Sequence, residues 1–317
     1  VGMGSVQIDI GVLTDDITYS VSPAYHTYKI AGVNAEYLRY CLECRNQDMF
    51  SRFVKRGSRQ GKTIDLKRWM TYEIPVYDEN RQQEIVDRLN RISELIEKRQ
   101  EQLVQLSELV KSRFIELFGT VKDNPYHFPT ATLKEVCHKI TDGKHGGCEQ
   151  ETDSGYYYVG AREIYDGVIH YDTAPQITFA DFAKDYRRCN IEQGDMVIVN
   201  TGATIGKSAI ASSHLTERTL LQKSVALIKV KTDVISAKFL RYCYMANPSM
   251  YMVESASAQP NLLLSKMNAT VIYLPPMELQ EQFAAFVEQT DKSKLAVQKG
   301  LQELEILKKS LMQQYFG

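Results

Sequence analysis

The sequence has no long apolar run, no excess of one charge and few cysteines for its length. None of its apolar stretches reaches the roughly 18 residues that a membrane-spanning helix needs, and residues 1–10 lack the basic start and apolar core of a secretory signal. Six scattered cysteines in 317 residues do not form a dense disulfide framework, which favours a reduced, cytoplasmic protein. The net charge of -1 gives no overall attraction to nucleic acid.

The cysteines and histidines do not predict a metal site. Cys41 and Cys44 form a Cys-x-x-Cys pair in AEYLRYCLECRNQ, but this stretch has a helical pattern and no second pair completes a tetrahedral zinc site. Another set of four zinc-type side chains lies closer to the middle of the chain: Cys137, His138, His145 and Cys148. Zinc at this set is the less favoured reading, because a chain of this size contains such sets by chance.

The chain contains an internal repeat, and its length suits two domains. Lys111–Gly119 reads KSRFIELFG and Lys309–Gly317 reads KSLMQQYFG, at an offset of 198 residues. The tetrapeptide LRYC occurs at Leu38–Cys41 and again at Leu240–Cys243, at an offset of 202. The two offsets differ by only four residues, which is what a duplicated unit with short loop insertions gives. Residues 1–119 match only the back part of the unit that runs from 120 to 317.

Each repeat ends in a pattern that predicts a long helix. Apolar residues recur at steps of four and three after Pro75 and again after Pro275, and neither stretch contains an internal proline. Two helices of roughly 33 residues would each span about 50 Å. The duplication favours their pairing within one chain, although a homodimer zipper or pairing with a partner's helices stays open. The predicted seam comprises Ile85, Leu89, Ile92, Leu103 and Leu106 in the first helix and Val287, Val297, Leu301, Leu304 and Leu311 in the second.

The part between the helices predicts a mixed domain of strands and turns. Short apolar runs are separated by turn signals such as Asp166-Gly167, and a helix is predicted from Ala237 to Asn247. The fold class is therefore α+β, with two tandem repeats of a mixed domain followed by a long helix. The predicted strands are 156–160, 195–200, 207–211, 224–230 and 270–274. The predicted domains are residues 1–76, the helix 77–119, residues 120–277 and the helix 278–317.

The stretch NTGATIGKSAI at Asn200–Ile210 is close to a phosphate-binding P-loop. A P-loop needs four residues between its first glycine and the Gly-Lys pair, so that backbone N–H groups wrap the phosphates. Gly202 and Gly206 enclose only three. A nucleotide-binding enzyme that uses residues 202–208 is therefore the weakest reading of the chain.

A family resemblance explains this stretch and covers essentially the whole chain. The segments that carry it are LKEVCHKITDGKH, GDMVIVNTGATIGKSAI, LLQKSVALIKV, FLRYC, the Leu-Pro-Pro-x-x-x-Gln-x-x-Phe entry to the second helix, and the Tyr-Phe-Gly end. Together they resemble the DNA-specificity (S) subunits of type I restriction-modification systems. TGATIGKSAI is similar to that family's TGxTxGKxAI segment, a strand-turn-strand of the recognition domain.

The resemblance implies a DNA-reading protein without catalysis of its own. Two target-recognition domains would each read half of a split double-stranded DNA site, and the long helices would form an antiparallel coiled coil between them. Methyltransferase (M) subunits that bind S-adenosylmethionine would methylate adenine, and a restriction (R) subunit would use ATP, while this chain would bind no cofactor. The first recognition domain lacks the front half of the family pattern, so another S chain or fragment is a candidate to complete it.

Candidate DNA-contacting residues follow from side-chain chemistry and loop position. Arg, Lys, Gln and His on projecting loops reach base edges or phosphates. In the second domain the candidates are Lys144, His145, Arg162, Lys207, Gln222 and Lys223. In the first domain they are Arg52, Lys55, Arg56 and Arg59, within a basic stretch that runs to Arg68. Each of these residues is equally compatible with an ordinary surface charge.

A second class of function stays open on the sequence alone. A coiled-coil scaffold whose mixed domains bind protein instead of DNA would carry the same heptads, and the near-neutral net charge is compatible with it. Such a scaffold would form a stable complex that ignores DNA, whereas a specificity subunit would not.

Overall fold

The computed structural model describes residues 1–4, 6–13, 17–23, 25–56, 62–250 and 261–317, with Met3 and Arg56 described by their backbone only. The chain divides into two compact units. Unit 1 comprises Val1–Gln105 and Ser293–Gly317, and unit 2 comprises Leu106–Lys292. Both divisions fall inside long helices, so each unit contains one end of each long helix.

Unit 1 begins with short strands and helices. They are β1 (Gly2–Met3), β2 (Ile8–Asp9), α1 (Ala35–Cys44), α2 (Asn46–Phe53), β3 (Val54–Arg56), β4 (Lys62–Ile64) and α3 (Leu66–Trp69). The first long helix, α4 (Glu79–Phe118), begins in unit 1 and ends in unit 2.

Unit 2 contains most of the strands. Its elements are β5 (Thr130–Thr132), α5 (Leu133–Val136), β6 (Cys137–Asp142), β7 (Tyr157–Val159), β8 (Ile164–Tyr165), β9 (Val168–Ile169), α6 (Phe179–Cys189), β10 (Met196–Val199), β11 (Ser208–Ile210), β12 (Thr219–Leu221), β13 (Val225–Val230), α7 (Ala237–Ala246), α8 (Leu264–Ala269) and β14 (Val271–Tyr273). The second long helix, α9 (Met277–Phe316), begins in unit 2 and ends in unit 1.

The centre of unit 2 is a four-stranded antiparallel sheet in the order β11-β10-β13-β6. Its middle strands are apolar at successive positions because both of their faces are buried. Met196, Ile198, Ala226 and Ile228 pack into one hydrophobic cluster, while Val197, Val199, Val225 and Leu227 pack into a second one on the other face. Strands whose two faces are both covered lose the usual alternation of apolar and polar residues.

In unit 2, the end of α4 fits into a socket of aromatic rings. Phe118 lies with its ring centroid 4.8 Å from that of Phe239 in α7 and 5.5 Å from that of Phe283 in α9. Phe114, one turn earlier, lies 5.3 Å from Phe283. Edge-to-face contacts at these distances are favourable beyond simple burial. The Phe-Gly end of the first repeat thus packs against α7, the helix that carries the second LRYC sequence.

In unit 1, the end of α9 fits into a socket that uses matching positions. Phe316 lies 5.2 Å from the ring of Tyr37 in α1, and Tyr37 and Phe239 occupy equivalent positions of the repeat. Ile85 belongs to the same cluster and is the counterpart of Phe283. The side chain of Arg45 donates to the Phe316 carbonyl and closes the socket. The repeated sequences LRYC and Phe-Gly are therefore the two parts of one repeated contact.

The two long helices pack as an antiparallel coiled coil, as predicted. The start of α4 packs against the end of α9 in unit 1, and the end of α4 packs against the start of α9 in unit 2. The predicted seam residues are all buried or half-buried: Ile85, Leu89, Ile92, Leu103, Leu106, Val287, Val297, Leu301, Leu304 and Leu311.

The same buried glutamine clamp recurs at the start of both long helices. Gln280 accepts a hydrogen bond from the Ser236 N–H, which begins α7, and donates to the Pro275 carbonyl. Gln82 accepts from the Asn34 N–H, which begins α1, and donates to the Tyr77 carbonyl. Buried amide groups need such partners. Each clamp ties the short helix of a repeat to the long helix that follows it.

The first repeat differs from the second where the sequence match is partial. Tyr25 and Tyr28 are 46% and 44% exposed, whereas Leu227 and Val230, which lie 202 residues later, are 0% and 8% exposed. The segment 17–30 contains no strand among its described residues. The predicted domain boundaries stay a prediction.

Candidate nucleic-acid interface

Strand order brings several loops of unit 2 to one edge of the sheet. In the antiparallel order β11-β10-β13-β6, the strands β6 and β10 end at the edge where β11 and β13 begin. The loops 143–147, 200–207 and 222–224 therefore meet there. The parallel pair β7 and β12 ends at the same place, where the Gln222 N–H donates to the Val159 carbonyl at 2.8 Å.

The loop that begins TDGKH lies directly on the segment that follows β12. The Lys144 N–H donates to the Leu221 carbonyl at 2.7 Å, and the Lys223 N–H donates to the Lys144 carbonyl at 2.9 Å. A Cβ at Gly143 would lie 2.2 Å from the Leu221 carbonyl oxygen. This close backbone approach requires glycine at 143, and it fixes the loop relative to Gln222 and Lys223.

The glycine-rich stretch is a hairpin turn between β10 and β11. The Gly206 N–H donates to the Val199 carbonyl at 2.9 Å, and the Val199 N–H donates to the Lys207 carbonyl at 2.7 Å. Gly202 and Gly206 have φ values of +100° and +89°, which glycine adopts without strain. Strand β11 follows at Ser208, so the strand-loop-helix arrangement of a P-loop is not formed here.

Lys144 and His145, both predicted to contact DNA, are engaged by carboxylates. The Lys144 ammonium lies 2.7 Å from Asp185 and 3.7 Å from Asp181, and its side chain is only 12% exposed. The hydrogen bond to Asp185 is the main reason why the Lys144 pKa is raised. His145 lies 2.9 Å from Asp142. Their role in DNA contact stays a prediction, and in this structure they hold the loop.

Asp142 also receives Arg188, so helix α6 is tied to the same loop. The Arg188 guanidinium pairs with the Asp142 carboxylate and donates to the Asp142 carbonyl at 3.0 Å. Burial raises the pKa of Asp142, but the hydrogen bonds from Arg188 and His145 lower this pKa by more than burial raises it. The net effect is a lowered pKa. Asp142 therefore stays ionised and keeps the loop anchored.

Three predicted cations remain exposed at this edge. Arg162, Lys207 and Lys223 are exposed and form no ion pair with any residue that the structure describes. Arg162 follows Gly160, where a Cβ would lie 2.4 Å from the Gln222 side chain, so this arginine belongs to the same edge. The structure thus brings the six candidates of the second domain to one edge of the sheet. Lys144 and His145 are paired with carboxylates, Arg162, Lys207 and Lys223 are exposed, and the neutral Gln222 is half-buried.

A surface cleft of about 280 Å³ opens at the edge. Its lining comprises Lys144, Gly146, Tyr158, Thr201, Gln222, Lys223 and Ser224. The Tyr158 hydroxyl donates to the Gly146 carbonyl at 2.6 Å, and burial raises the Tyr158 pKa, so this hydroxyl stays a neutral donor. Every lining residue is polar or a glycine except for the tyrosine ring, which suits a polar ligand surface.

In unit 1, the described parts of the basic stretch lie at the end of α2, in the antiparallel strands β3 and β4, and in α3. Arg52 pairs with Asp48 at 2.7 Å and Lys55 pairs with Asp65 at 2.7 Å, so two of the predicted cations are neutralised locally. Arg59 lies outside the described residues, and Arg56 is described only by its backbone, paired with Lys62. The predicted role of these four residues in DNA contact stays a prediction.

Neither a metal-type cluster of side chains nor a helix long and apolar enough to cross a membrane is found in the part of the chain that the structure describes. No group of three or more His, Cys, Asp or Glu side chains there is arranged to hold a metal ion. Burial raises the pKa of the Cys137 thiol to about 12, so it is not a ready thiolate ligand. No described helix is long and apolar enough to cross a membrane.

The comparison with known families decides the assignment. A profile of the type I restriction modification DNA specificity domain matches residues 126–306, which is more than half of the chain. The chain belongs to this family. The match includes β6–β13 and the three loops of the candidate interface, so the edge described above lies within a DNA specificity domain.

Solved structures share the fold of this specificity protein. The S subunit of a type I restriction-modification system from M. genitalium is 16% identical, with a TM-score of 0.55, over 90% of this chain and 73% of that chain. A chain in a structure of the complex assembly and conformational transition of the type I system is 16% identical, also with a TM-score of 0.55, over 89% of this chain and 71% of that chain. At this identity the likeness establishes the fold alone.

The anchoring helix α6 is the part of the site that sequence reasoning missed. Asp181, Asp185 and Arg188 are spaced by four and three residues, which places them on one helical face. Thr178 caps this helix by accepting from the Asp181 N–H. The capping Thr178, followed by charged residues at helical spacing, was the sequence signal that could have predicted this charged helix face.

Proposed function

We propose that the chain is the sequence-reading subunit of a type I restriction-modification complex, and that it directs adenine methylation and restriction by partner subunits to a bipartite DNA site. The observation that carries the proposal is the convergence of exposed cations and a polar cleft at one sheet edge within a DNA specificity domain. The duplicated sequence supports a target with two halves.

Arg162, Lys207 and Lys223 supply the electrostatic part of the proposed binding. Exposed cations without local partners gain by contacting phosphates, because condensed counterions are released from the DNA. Phosphate contacts position a protein on the duplex, whereas base-edge contacts select the sequence. In this proposal, the anchored pair Lys144 and His145 keeps the loop in shape and leaves most DNA contact to its neighbours.

Catalysis is assigned to partners in this proposal. Methyltransferase subunits would carry S-adenosylmethionine, a restriction subunit would use ATP, and this chain would bind neither. The long helices offer apolar side chains for docking: Leu95 and Val104 in unit 1 are 47% and 63% exposed, and Leu109 and Ile115 in unit 2 are 50% and 41% exposed. A further S chain or fragment is proposed to cover the exposed tyrosines of the first repeat.

The salt dependence of DNA binding tests the proposed interface. Replacing Arg162, Lys207 or Lys223 singly by glutamine should weaken binding by the complex with methyltransferase subunits. Each substitution that removes a phosphate interaction should also reduce the log–log salt slope by about 0.9. The measurement is a set of DNA titrations at several salt concentrations.

Lys134 provides the matched control for these substitutions. It is an exposed lysine in α5, just before β6, and therefore lies at the opposite edge of the sheet. Lys134→Gln should leave the slope unchanged. A stable complex of the unaltered chain that ignores DNA would support the scaffold alternative and contradict the proposal.

A further inference from the structure

Gln222 differs from the other candidates because it is neutral and held in one orientation. Its backbone N–H donates to the Val159 carbonyl at 2.8 Å, and its carbonyl accepts from the Val225 N–H at 2.9 Å. It also forms a bridge with Lys144, whose loop is anchored by Asp142 and Asp185. The backbone that carries this side chain is therefore fixed from both sides.

The side-chain amide of Gln222 is also oriented, by one long hydrogen bond and by its packing on Gly160. Its Nε2 donates to the Tyr158 carbonyl at 3.4 Å, and a carbonyl only accepts, so the amide nitrogen must face Tyr158. Gly160 leaves the space that the amide fills: a Cβ there would lie 2.4 Å from Oε1 and 2.6 Å from Cδ of Gln222. A side chain at 160 would displace the amide from the cleft that it lines.

A glutamine held in this way keeps one N–H and the Oε1 oxygen for a ligand. This pair of groups matches the N7 acceptor and the N6 donor that adenine presents in the major groove. Arg162, Lys207 and Lys223 around it are long and exposed, which suits phosphate contacts better than fixed base contacts. A group whose orientation is set before binding loses less conformational freedom when it contacts a base.

We propose that Gln222 reads an adenine of the target sequence through its side-chain amide, and that Gly160 and the Tyr158 carbonyl hold this amide in the reading orientation. The inference rests on the proposed function, since it assumes that this edge meets the major groove of DNA. It deepens that function by naming a residue that determines sequence preference.

The test is selection from randomised duplex DNA by the complex of the full chain with methyltransferase subunits. The unaltered chain should enrich one motif. Gln222→Ala should lose discrimination at one adenine position by about 5- to 150-fold, because a bidentate base contact is worth about 1–3 kcal/mol, and should keep every other position. Gln222→Glu should move the preference at that position toward cytosine, whose N4 amino group donates to a carboxylate.

Two further variants keep the test interpretable. Gly160→Ala should relax the same position as Gln222→Ala, because it displaces the amide without removing it. Gln150→Ala, which alters an exposed glutamine of the same unit, should change no position. If Gln222→Ala or Gly160→Ala folds poorly, the conservative Gln222→Asn supplies the comparison, since it shortens the side chain by one methylene.

The outcomes separate this inference from the proposed function. Enrichment of the same motif with unchanged preference in Gln222→Ala and Gln222→Asn would overturn the reading role and leave DNA recognition intact. Relaxation spread over many positions would also overturn it, because it would indicate a structural role. Failure of the unaltered complex to enrich any motif would overturn both the inference and the proposed function.

Discussion

Replacing Phe118 or Phe316 by alanine should lower the free energy of unfolding by about 3–5 kcal/mol, the usual cost of removing a buried phenylalanine ring. Both rings are 0% exposed and lie in sockets of aromatic side chains, Phe118 against Phe239 and Phe316 against Tyr37. Truncation leaves a cavity that rigid neighbouring rings fill poorly. Chemical denaturation of the purified chain, followed by circular dichroism, measures the decrease in stability.

Ile115→Ala is the control for the substitutions of Phe118 and Phe316. Ile115 lies on the same last turns of α4 but is 41% exposed, so its truncation should cost well under 1 kcal/mol. Equal destabilisation by the Phe118 and Ile115 substitutions would contradict the socket contact in unit 2. Destabilisation by Phe118→Ala but not by Phe316→Ala would contradict the claim that both repeats depend on the same kind of buried aromatic contact.

Gly143→Ala should weaken DNA binding by the complex roughly a hundredfold, equivalent to about 2.7 kcal/mol. The added Cβ would lie 2.2 Å from the Leu221 carbonyl oxygen and 2.4 Å from that of Gln222. Both atoms belong to backbone, so the loop must move away from the segment that positions Gln222 and Lys223. Fluorescence anisotropy with DNA that carries the target sequence measures the change in affinity.

Gly147→Ala is a matched control in the same loop. A Cβ at Gly147 would meet no atom within 4 Å, so binding should stay within a factor of about two of that of the unaltered chain. Full binding by Gly143→Ala would show that the contact between the loop and residues 221–223 does not shape the interface.

Most regular elements of the second domain could be predicted because their sequences carry a local signal. The predicted strand 195–200 is β10, Met196–Val199, and the predicted helix from Ala237 is α7. Runs of valine and isoleucine between turn residues favour strands. The pairing order of the strands could not be predicted, because it depends on contacts between distant residues such as Ile228 and Ile140.

At the end of α4, the heptad pattern does not predict which residues are buried. The predicted seam of the first helix ends at Leu106, and the fully buried residues of the last turns of α4 are Phe114 and Phe118. The heptad pattern did not identify these two residues, because the last turns of α4 pack against α7 and α9 together. A socket buries a wider helical face than a two-helix seam does.

The candidate site could be predicted only as a set of residue types. Sequence position identified Lys144 and Lys207 as loop cations but gave no measure of which would be paired. Lys144 lies against Asp185, 41 positions away, whereas Lys207 is exposed. That difference depends on the packing of α6 against the end of β6. This packing brings together residues that are far apart in the sequence, so local sequence patterns do not predict it.

The direct test of a DNA-reading subunit is the location of methylated adenines. The complex of this chain with its methyltransferase partners is incubated with genomic DNA and S-adenosylmethionine, and modified adenines are mapped by single-molecule sequencing. Methylation should occur within one split sequence motif and should disappear when this chain is omitted. Methylation that is unchanged without the chain, or that follows no motif, would contradict this prediction.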